Sequence, residues 1–311
     1  MYLRKKIIAT DKITSHQKNI CKKIYNTVAK YRFSKFERSQ VPLKFRLGPN
    51  DFLILQDIAA HKFLDSKHIL ALHPEMKERS LQSRLHFLFH GGLVERPASQ
   101  FTYFQKSTHI VYRLTKKGAE LVSQSKGTNE EVKKPKDAGV SFLQHSLMIS
   151  NFKTIMELAL KNIPGTNLAI WEEPKVIDAV YSEGERFPIA PDAFFTLEDK
   201  DCYMHFFLEV DRSTMALERM LKKYKGYWNW WLEGGQERKL KIPNFRVLSI
   251  SQTEERKENM RRIAKRANGR ETGSAMFWFT CEKSYNLENP ESVLKPIWQT
   301  PKNADWHHIL E

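Results

Sequence analysis

Acidic residues stand at the ends of two neighbouring apolar segments, where together they could bind a cation. Asp192 follows Pro191 at the start of the first segment, and Glu209 and Asp211 close the second, with the polar turn 198–201 between the segments. Residues i and i+2 of a strand share a face, so Glu209 and Asp211 are expected to point the same way. With Asp192 opposite them, two or three carboxylates would converge. Such a cluster needs a cation and suits Mg²⁺, which prefers oxygen ligands.

A helix predicted over 214–231 would bring positive charge to the same place. Arg219, Lys223 and Tyr227 recur at i, i+4 and i+8, so they share one helix face. A lysine beside a phosphate can neutralise the charge that develops on it during cleavage. A solvated, salt-bridged helix face is an equally good interpretation. The same helix is rich in aromatic residues, which stack on unpaired bases in some proteins, although a packed core or dimer interface is the more ordinary interpretation.

The elements that must position these residues form a mixed α/β order. Apolar segments predict a helix over 142–160, strands over 168–171, 192–197 and 203–210, the helix 214–231, a strand over 245–250, a basic helix over 254–267 and a strand over 276–280. Helix, three strands, helix, strand, helix, strand is the kind of order found in the restriction-endonuclease core. The predicted fold class is therefore α/β, or α+β overall, for the second half of the chain.

An earlier part of the chain has a different pattern. Three helices over 50–90, which end at Gly91-Gly92, are followed by a predicted hairpin, and together they indicate a winged helix-turn-helix. The third helix would enter the major groove of DNA, with the hairpin on the backbone; protein contact is the alternative role. Base contacts are expected from Arg79, Gln82, Ser83 and Arg84, and phosphate contacts from Lys106, Lys116 and Lys117.

Charge is unevenly distributed along the chain. The net charge is +15, and residues 1–50 contain 13 basic against 2 acidic residues, whereas residues 151–200 contain 5 against 9. Clustered lysine and arginine are the general source of DNA affinity. We therefore expect four parts: a basic arm or helix over 1–46, the winged helix over 47–124, a polar linker over 125–140 and a nuclease-like domain over 141–311.

Several classes of protein are disfavoured by composition. Three widely spaced cysteines, Cys21, Cys202 and Cys281, form neither a disulfide framework nor a zinc-binding pair. We find no signal peptide and no apolar run of the roughly 20 residues that span a bilayer. A cytoplasmic protein without membrane insertion is therefore expected.

These segments, in this order, resemble the replication-relaxation family of plasmid and mobile-element proteins, which includes mobilisation relaxases with restriction-endonuclease-like cores. The likeness covers roughly residues 50–250. It rests on six motifs in a fixed order: Gly91-Gly92-Leu93-Val94, Tyr112-Arg113-Leu114-Thr115, His145-Ser146-Leu147, Pro191-Asp192-Ala193, Leu208-Glu209-Val210-Asp211, and Lys223 with Gly226-Tyr227.

The resemblance implies a set of roles for the second domain. Asp192 and Glu209 would hold Mg²⁺ or Mn²⁺, Lys223 would be a displaced catalytic lysine, and His145 would be a further active-site residue. Asp211 occupies the position where the usual PD-(D/E)xK motif has its lysine. Three interpretations follow: the lysine has moved to the next helix, the site binds metal without cutting, or Asp211 forms a structural salt bridge with Arg212 or Lys223.

The function expected from these observations is site-specific DNA binding with metal-dependent nicking at an origin. The alternative is a non-catalytic DNA-binding regulator or accessory factor of replication or transfer; a nuclease of transposition or phage defence is a third. The expected partners are double-stranded DNA, single-stranded DNA at an origin, a second copy of the chain, and transfer or replication proteins.

Overall fold

The computed structural model of the chain describes residues 36–39, 46–100, 109–127, 139–173, 176–182, 185–200, 202–213 and 215–311. The predicted arm over 1–46 and linker over 125–140 fall largely outside these ranges, and Lys106 lies wholly outside them. No helix in the described part of the chain is both long and apolar enough to cross a membrane.

The first part of the chain is a small helical unit with a three-stranded sheet. Its elements are α1 (Pro49–His61), β1 (Leu64–Asp65), α2 (Ser66–Leu72), α3 (Glu78–His90), β2 (Val94–Glu95), β3 (Val111–Leu114) and α4 (Lys116–Ser125). Strand β3 lies between β1 and β2 and is antiparallel to both. Apolar residues of α1 and α3, such as Leu55 and Leu85, form one core with the strands. Three helices precede β2 and β3, as expected, but β1 between α1 and α2 was not predicted, and the tip of the hairpin, 101–108, lies outside the described residues.

Helix α1 does not begin where the sequence indicated. We expected Asn50 as its cap, and this was wrong: the cap is Gly48, and Pro49 is the first helical residue. Proline suits this position because the first backbone N–H of a helix has no partner within the helix. The buried Asp51 carboxylate then accepts a hydrogen bond from the Gly48 backbone nitrogen at 2.7 Å.

The second part of the chain is built on a seven-stranded mixed sheet, and the predicted α/β class is confirmed. Its elements are α5 (Val140–Leu160), β4 (Thr166–Glu172), β5 (Ile177–Ser182), β6 (Glu185–Ile189), β7 (Ala193–Asp199), β8 (Cys202–Asp211), α6 (Leu217–Leu232), α7 (Gly235–Leu240), β9 (Arg246–Ser251), α8 (Glu254–Ala264), β10 (Phe277–Cys281), β11 (Trp298–Gln299) and β12 (Trp306–His307). The strand order is β12-β11-β10-β9-β8-β7-β4. Strands β4, β7 and β8 are antiparallel neighbours, whereas β8, β9 and β10 run parallel.

Both faces of this sheet are covered. On one face α5 packs Phe152 and Ile155 into a core with β7 and β8. On the other face α6 and α8 bury Tyr224 and Met260 against the same strands. Sheets buried on both faces have nearly continuous apolar strands, and this explains why β8 has polar residues mainly at its ends. A charged residue inside such a strand therefore requires a partner.

The hairpin β5–β6, which the sequence did not predict, fixes the position of α6. A Cβ atom on Gly226 would lie only 2.8 Å from Ile189 Cδ1 and 3.3 Å from Ala179 Cβ. Real side chains do not approach this closely, so glycine is what lets α6 lie against the hairpin. The catalytic candidate Lys223 lies one turn earlier on the same helix.

The two parts of the chain contact each other through α5. Ser150 Oγ donates a hydrogen bond to the His61 carbonyl oxygen at 2.9 Å, and Lys153 Nζ donates to the Ala60 carbonyl oxygen at 2.8 Å. Both carbonyls belong to the last turn of α1, where the helix itself has no backbone donors left, and the His61 carbonyl also accepts from the Phe63 backbone nitrogen at 2.8 Å. Helix α5 therefore satisfies the end of α1 and ties the first part of the chain to the second.

Candidate active site

Asp192 lies immediately before β7 and takes part in the pairing of β7 with β8. Its backbone nitrogen donates to the Leu208 carbonyl oxygen at 2.9 Å, and its carboxylate Oδ2 accepts a hydrogen bond from the Val210 backbone nitrogen at 2.7 Å. The Asp192 carboxylate thus accepts a hydrogen bond that a backbone carbonyl would accept if the pairing of β7 with β8 continued. These two bonds bracket Glu209 and bring the two acidic residues together on neighbouring strands, as the sequence predicted.

His145 is held by the same carboxylate. Its Nε2 lies 2.8 Å from Asp192 Oδ1, and its imidazole is about one third exposed. Burial opposes protonation of His145, but the hydrogen bond to Asp192 and the charges of Asp192 and Glu209 outweigh it and raise the pKa of the imidazole. His145 is therefore a cationic hydrogen-bond donor at the edge of the site over a wider pH range than an isolated histidine.

This raised pKa gives a testable pH dependence of stability. Because the folded pKa of His145 exceeds the unfolded value, its contribution is fully present below the unfolded pKa and is lost as pH rises through the folded pKa. We expect wild type to exceed His145→Gln in unfolding free energy by more at about pH 5.5 than at about pH 9. Urea denaturation of both proteins at both pH values measures this, and an equal difference at the two pH values would contradict it.

Glu209 is buried inside β8 and has two partners on α6. Its Oε2 forms an ion pair with Lys223 Nζ, and its Oε1 accepts a hydrogen bond from the Tyr227 hydroxyl at 2.7 Å. Lys223 Nζ also donates to the Ala190 carbonyl oxygen at 3.2 Å. Lys223 and Tyr227 are four residues apart, so one face of α6 presents both donors, as their spacing predicted.

Burial shifts the pKa of Glu209 and of its hydrogen-bond donor Tyr227. It raises the pKa of Glu209; the Lys223 ammonium opposes that rise, and the Asp192 carboxylate adds to it. Burial, with the negative charge of Glu209, also raises the pKa of Tyr227 well above its ordinary value. Tyr227 therefore stays protonated and donates.

Asp211 shares the face of Glu209 but has other partners. Its Oδ2 forms an ion pair with Arg256 Nε of α8 at 2.6 Å and accepts from the Ser213 backbone nitrogen at 3.1 Å. One of the three interpretations paired Asp211 with Arg212 or Lys223, and that pairing is wrong: Arg212 instead donates to the Ser141 carbonyl oxygen, and Lys223 pairs with Glu209. Arg256 was missed because nothing in the sequence links it to a strand that ends 45 residues earlier.

The donor set suits a hard divalent cation in type. Asp192 and Glu209 supply two carboxylates, and Mg²⁺ is commonly held by one or two carboxylates while it keeps several waters. Among the described residues, no group of three or more histidine, cysteine or acidic side chains is placed to hold a metal ion. Each oxygen of the two carboxylates already accepts a hydrogen bond or an ion pair. A cation there would therefore replace His145 or Lys223 at one of these oxygens.

A cavity of about 350 Å³ opens beside the site, between the two parts of the chain. His145 and Asp192 line it from the second part, and Lys62 and His61 line it from the end of α1. Lys62 forms an ion pair with Glu173 at its rim. The approach to Asp192 is thus lined by residues of both parts of the chain, with Lys62 of the first paired to Glu173 of the second.

The residues expected to contact DNA are not equally available. On α3 the side chains of Arg79, Gln82 and Ser83 are exposed. Arg84 instead forms an ion pair with the buried Asp51 and donates to the Arg46 carbonyl oxygen, so its guanidinium is used within the fold. The structure therefore offers fewer side chains for base contacts than the sequence suggested.

Two lysines of α4 are exposed, as expected for phosphate contacts. Lys116 lies 3.7 Å from Glu120, and Lys117 Nζ donates to the Gly91 carbonyl oxygen at 3.3 Å. Both contacts are at the surface, where such interactions are weak and readily exchanged. Lys106, the third candidate, lies outside the described residues.

Comparison with known proteins identifies a family that matches the sequence of this chain. No curated protein and no solved structure matches the chain. A family model described as Replication-relaxation matches residues 55–244, which is more than half of the chain. The matched region runs from α1 to the segment before β9, so it contains Asp192, Glu209 and Lys223 but ends before Arg256. The chain therefore belongs to the replication-relaxation family.

Proposed function

We propose that this protein binds double-stranded DNA at an origin and nicks one strand there, with Asp192, Glu209 and Lys223 at the point of cleavage. Membership of the replication-relaxation family points to a role in the replication or mobilisation of plasmids or other mobile elements. DNA binding and nicking are the more specific proposal, and the geometry of the second domain is what supports them.

One observation carries the proposal: Lys223 of α6 lies against Glu209. The strand position that normally holds the lysine is Asp211, which is paired with Arg256. A lysine that reaches the same carboxylate from the following helix supplies the missing positive charge at the acidic pair. This arrangement agrees with a lysine that has moved to the next helix, one of the three interpretations left open by the sequence.

The side chains around the acidic pair suit phosphodiester cleavage. Asp192 and Glu209 would hold Mg²⁺ or Mn²⁺, which when bound makes a phosphate more electrophilic and a water molecule more acidic. Lys223 would exchange part of its contact with Glu209 for a phosphate oxygen and stabilise the developing charge there. The Tyr227 hydroxyl keeps Glu209 in place during that exchange, and Asp192 keeps His145 at the edge of the site.

The first part of the chain supplies surfaces that suit duplex DNA. Arg79, Gln82 and Ser83 share the exposed side of α3, in the manner of a recognition helix, and Lys116 and Lys117 are exposed on α4. The 11 net positive charges over residues 1–50 would add affinity that does not depend on sequence. The attachment of α1 to α5 would hold this surface in a fixed relation to the cavity beside Asp192.

A second function, that of a non-catalytic DNA-binding accessory factor, is favoured by a specific observation. Glu209 already has a full complement of partners in Lys223 and Tyr227, and a buried acid satisfied in this way can serve stability alone. In that case the second domain would bind another copy of the chain or a transfer protein.

Relaxation of a supercoiled plasmid that carries the cognate origin separates the two functions. With Mg²⁺ or Mn²⁺, wild type should convert the plasmid to open circle, whereas Asp192→Asn should give no more product than a metal-free reaction. Asp305→Asn, which changes an exposed aspartate between β11 and β12, is the matched control and should relax the plasmid as wild type does. Origin binding without relaxation by wild type under either metal would contradict nicking and leave the accessory function.

A further inference from the structure

A groove of about 490 Å³ lies at the end of the sheet opposite the candidate active site, where β8, β9 and β10 begin. Its lining includes Tyr203 of β8, Trp228 and Trp231 of α6, and Asn244 and Arg246 at the start of β9. The active-site residues Glu209 and Asp211 lie at the other end of β8. The groove is therefore separate from the acidic pair, and no role proposed above uses it.

Aromatic rings form one wall of this groove. The sequence favoured a core role for the aromatic residues of α6, and for Tyr224 and Tyr227, which are fully buried, this role is confirmed. Trp228 and Trp231 differ, because they are only partly buried and lie with ring centroids 5.2 Å apart at an interplanar angle of 39°. Tyr203 is 60% exposed. Partly exposed aromatic rings that line a groove are the kind of surface on which bases stack.

Two polar contacts orient aromatic side chains of this wall. The indole Nε1 of Trp231 donates to Asn244 Oδ1 at 3.2 Å, which links α6 to the segment before β9. The Tyr203 hydroxyl donates to Glu198 Oε1 at 3.0 Å. These bonds involve the polar edges of the rings.

The charge of the groove is positive. None of its lining residues is acidic, and Arg246 supplies a positive charge there, whereas burial lowers the pKa of His205 and disfavours its cationic form. The segment that leads into it, residues 238–246, contains four basic residues and no acidic one, and Arg238, Lys239 and Lys241 are exposed. Glu198 accepts a hydrogen bond from Tyr203 and the charge of Glu311 acts on Arg246, but neither carboxylate belongs to the lining. An anionic ligand is therefore favoured.

Arg246 gives a further indication of a ligand. Its guanidinium lies 4.4 Å from the centroid of the Trp278 ring, and its Nη1 is buried without a hydrogen-bond acceptor among the described residues. Buried donors in native proteins are almost always paired, so this nitrogen would gain an acceptor if the guanidinium turned toward an oxygen in the groove. A phosphate oxygen has the appropriate charge and geometry for a guanidinium.

We propose that this groove binds unpaired nucleotides of single-stranded DNA, with bases stacked on Trp228 and Trp231 and a backbone phosphate at Arg246. The inference rests on the proposed DNA-processing function and specifies which form of DNA the second domain holds. Helix α6 connects the two places, because Trp231 follows Tyr227 by one turn and Lys223 by two, a rise of about 12 Å along the axis. A strand opened at the acidic pair would be held at the other end of the same helix.

The test is binding of the full-length protein to fluorescently labelled oligothymidylate and to a labelled duplex, measured by anisotropy without divalent metal. The double variant Trp228→Ala/Trp231→Ala should lose about 5-fold or more in affinity for the single strand, the usual effect of removing a stacking ring. Its affinity for the duplex should stay within 2-fold of wild type, on the order of the error of such a comparison.

Two further variants guard against loss of folding and nonspecific effects. Trp231→Phe retains a stacking face and should bind the single strand nearly as wild type does. Trp306→Ala removes a tryptophan that is 51% exposed but lies outside the groove, and it should leave both affinities unchanged.

The outcomes distinguish this inference from the proposed function. If the protein binds duplex DNA and the tryptophan variants do not change its affinity for the single strand, the groove proposal is overturned and the proposed function stands. A protein partner would then be the better occupant of the groove. Failure of wild type to bind either form of DNA would overturn both. Loss of single-strand affinity in Trp306→Ala to the same extent as in the double variant would also count against the groove.

Discussion

Replacing Lys223 with methionine should lower the free energy of unfolding by about 3–5 kcal/mol, the usual cost of leaving one member of a buried ion pair without its partner. The two side chains lie deep in the fold: 3% of Glu209 and 6% of Lys223 is exposed. Methionine fills much of the volume of the lysine stem, so the loss comes from the uncompensated Glu209 carboxylate and not from a large cavity. Urea denaturation near neutral pH measures the effect.

A double variant separates the charge from the packing. Glu209→Leu/Lys223→Met removes both charges, and hydrophobic replacement of a buried pair is often neutral or stabilising, so most of the stability lost in Lys223→Met should return. Tyr227 would then lose its acceptor, which limits the recovery by about 1–3 kcal/mol. A Lys223→Met protein as stable as wild type would contradict the ion pair and indicate that Glu209 becomes protonated when Lys223 is removed.

The same variants bear on function. The double variant is expected to fold, yet it lacks both the acid and the lysine proposed to act on a phosphate. Loss of plasmid relaxation in a protein of near wild-type stability would therefore reflect missing chemistry and not unfolding. Asp305→Asn serves again as the active control.

The central sheet and its covering helices could be predicted from sequence because they bury continuous apolar segments. The strand predicted over 203–210 is Cys202–Asp211, and the helix predicted over 142–160 is Val140–Leu160. Such segments have one main source of stability, the burial of apolar surface, and their periodicity is visible in one dimension.

Elements with little apolar surface could not be predicted in the same way. Strand β6, Glu185–Ile189, is largely exposed and pairs only with β5, so it lacks both an apolar run and a regular alternation. Strands β11 and β12 have two residues each and depend on tertiary contacts at the edge of the sheet. The contact between Gly226 and the β5–β6 hairpin, which positions the helix that carries Lys223, could therefore not be predicted before the fold was known.

The candidate site was predictable in its residue types but not in its pairing. Helical spacing predicted that Lys223 and Tyr227 would share a face, and both contact Glu209. Acidic residues at the ends of apolar segments predicted a convergence of carboxylates, and Asp192 bonds to the backbone beside Glu209, at Val210. The partner of Asp211 was not predictable, because any of several basic residues could pair with it as long as the fold is unknown. Long-range ion pairs depend on the order of strands in the sheet, and sequence spacing contains no information on that order.

Asp211→Ala should lower the free energy of unfolding by about 3 kcal/mol, since it leaves the Arg256 guanidinium largely buried without its carboxylate. Only 4% of the Asp211 side chain and 13% of the Arg256 side chain is exposed. Asp211 also accepts from the backbone nitrogen of Ser213, which has a left-handed φ of 61°. Asp211 thus stabilises the turn that leads from β8 into α6, and so helps to set the position of Lys223 relative to Glu209.

The decisive variant is Asp211→Lys, because it restores the residue type that the usual nuclease motif has at this position. If position 211 were a degraded catalytic site, lysine there would be tolerated and could replace Lys223. In this fold it would instead place a second cation against Arg256, so we expect it to be less stable than Asp211→Ala and unable to restore relaxation to Lys223→Met. An Asp211→Lys protein as stable as wild type would show that the salt bridge does not fix the turn. Under the proposed function, Lys223 of α6 supplies the cation beside Glu209, while Asp211 at the end of β8 serves as the partner of Arg256.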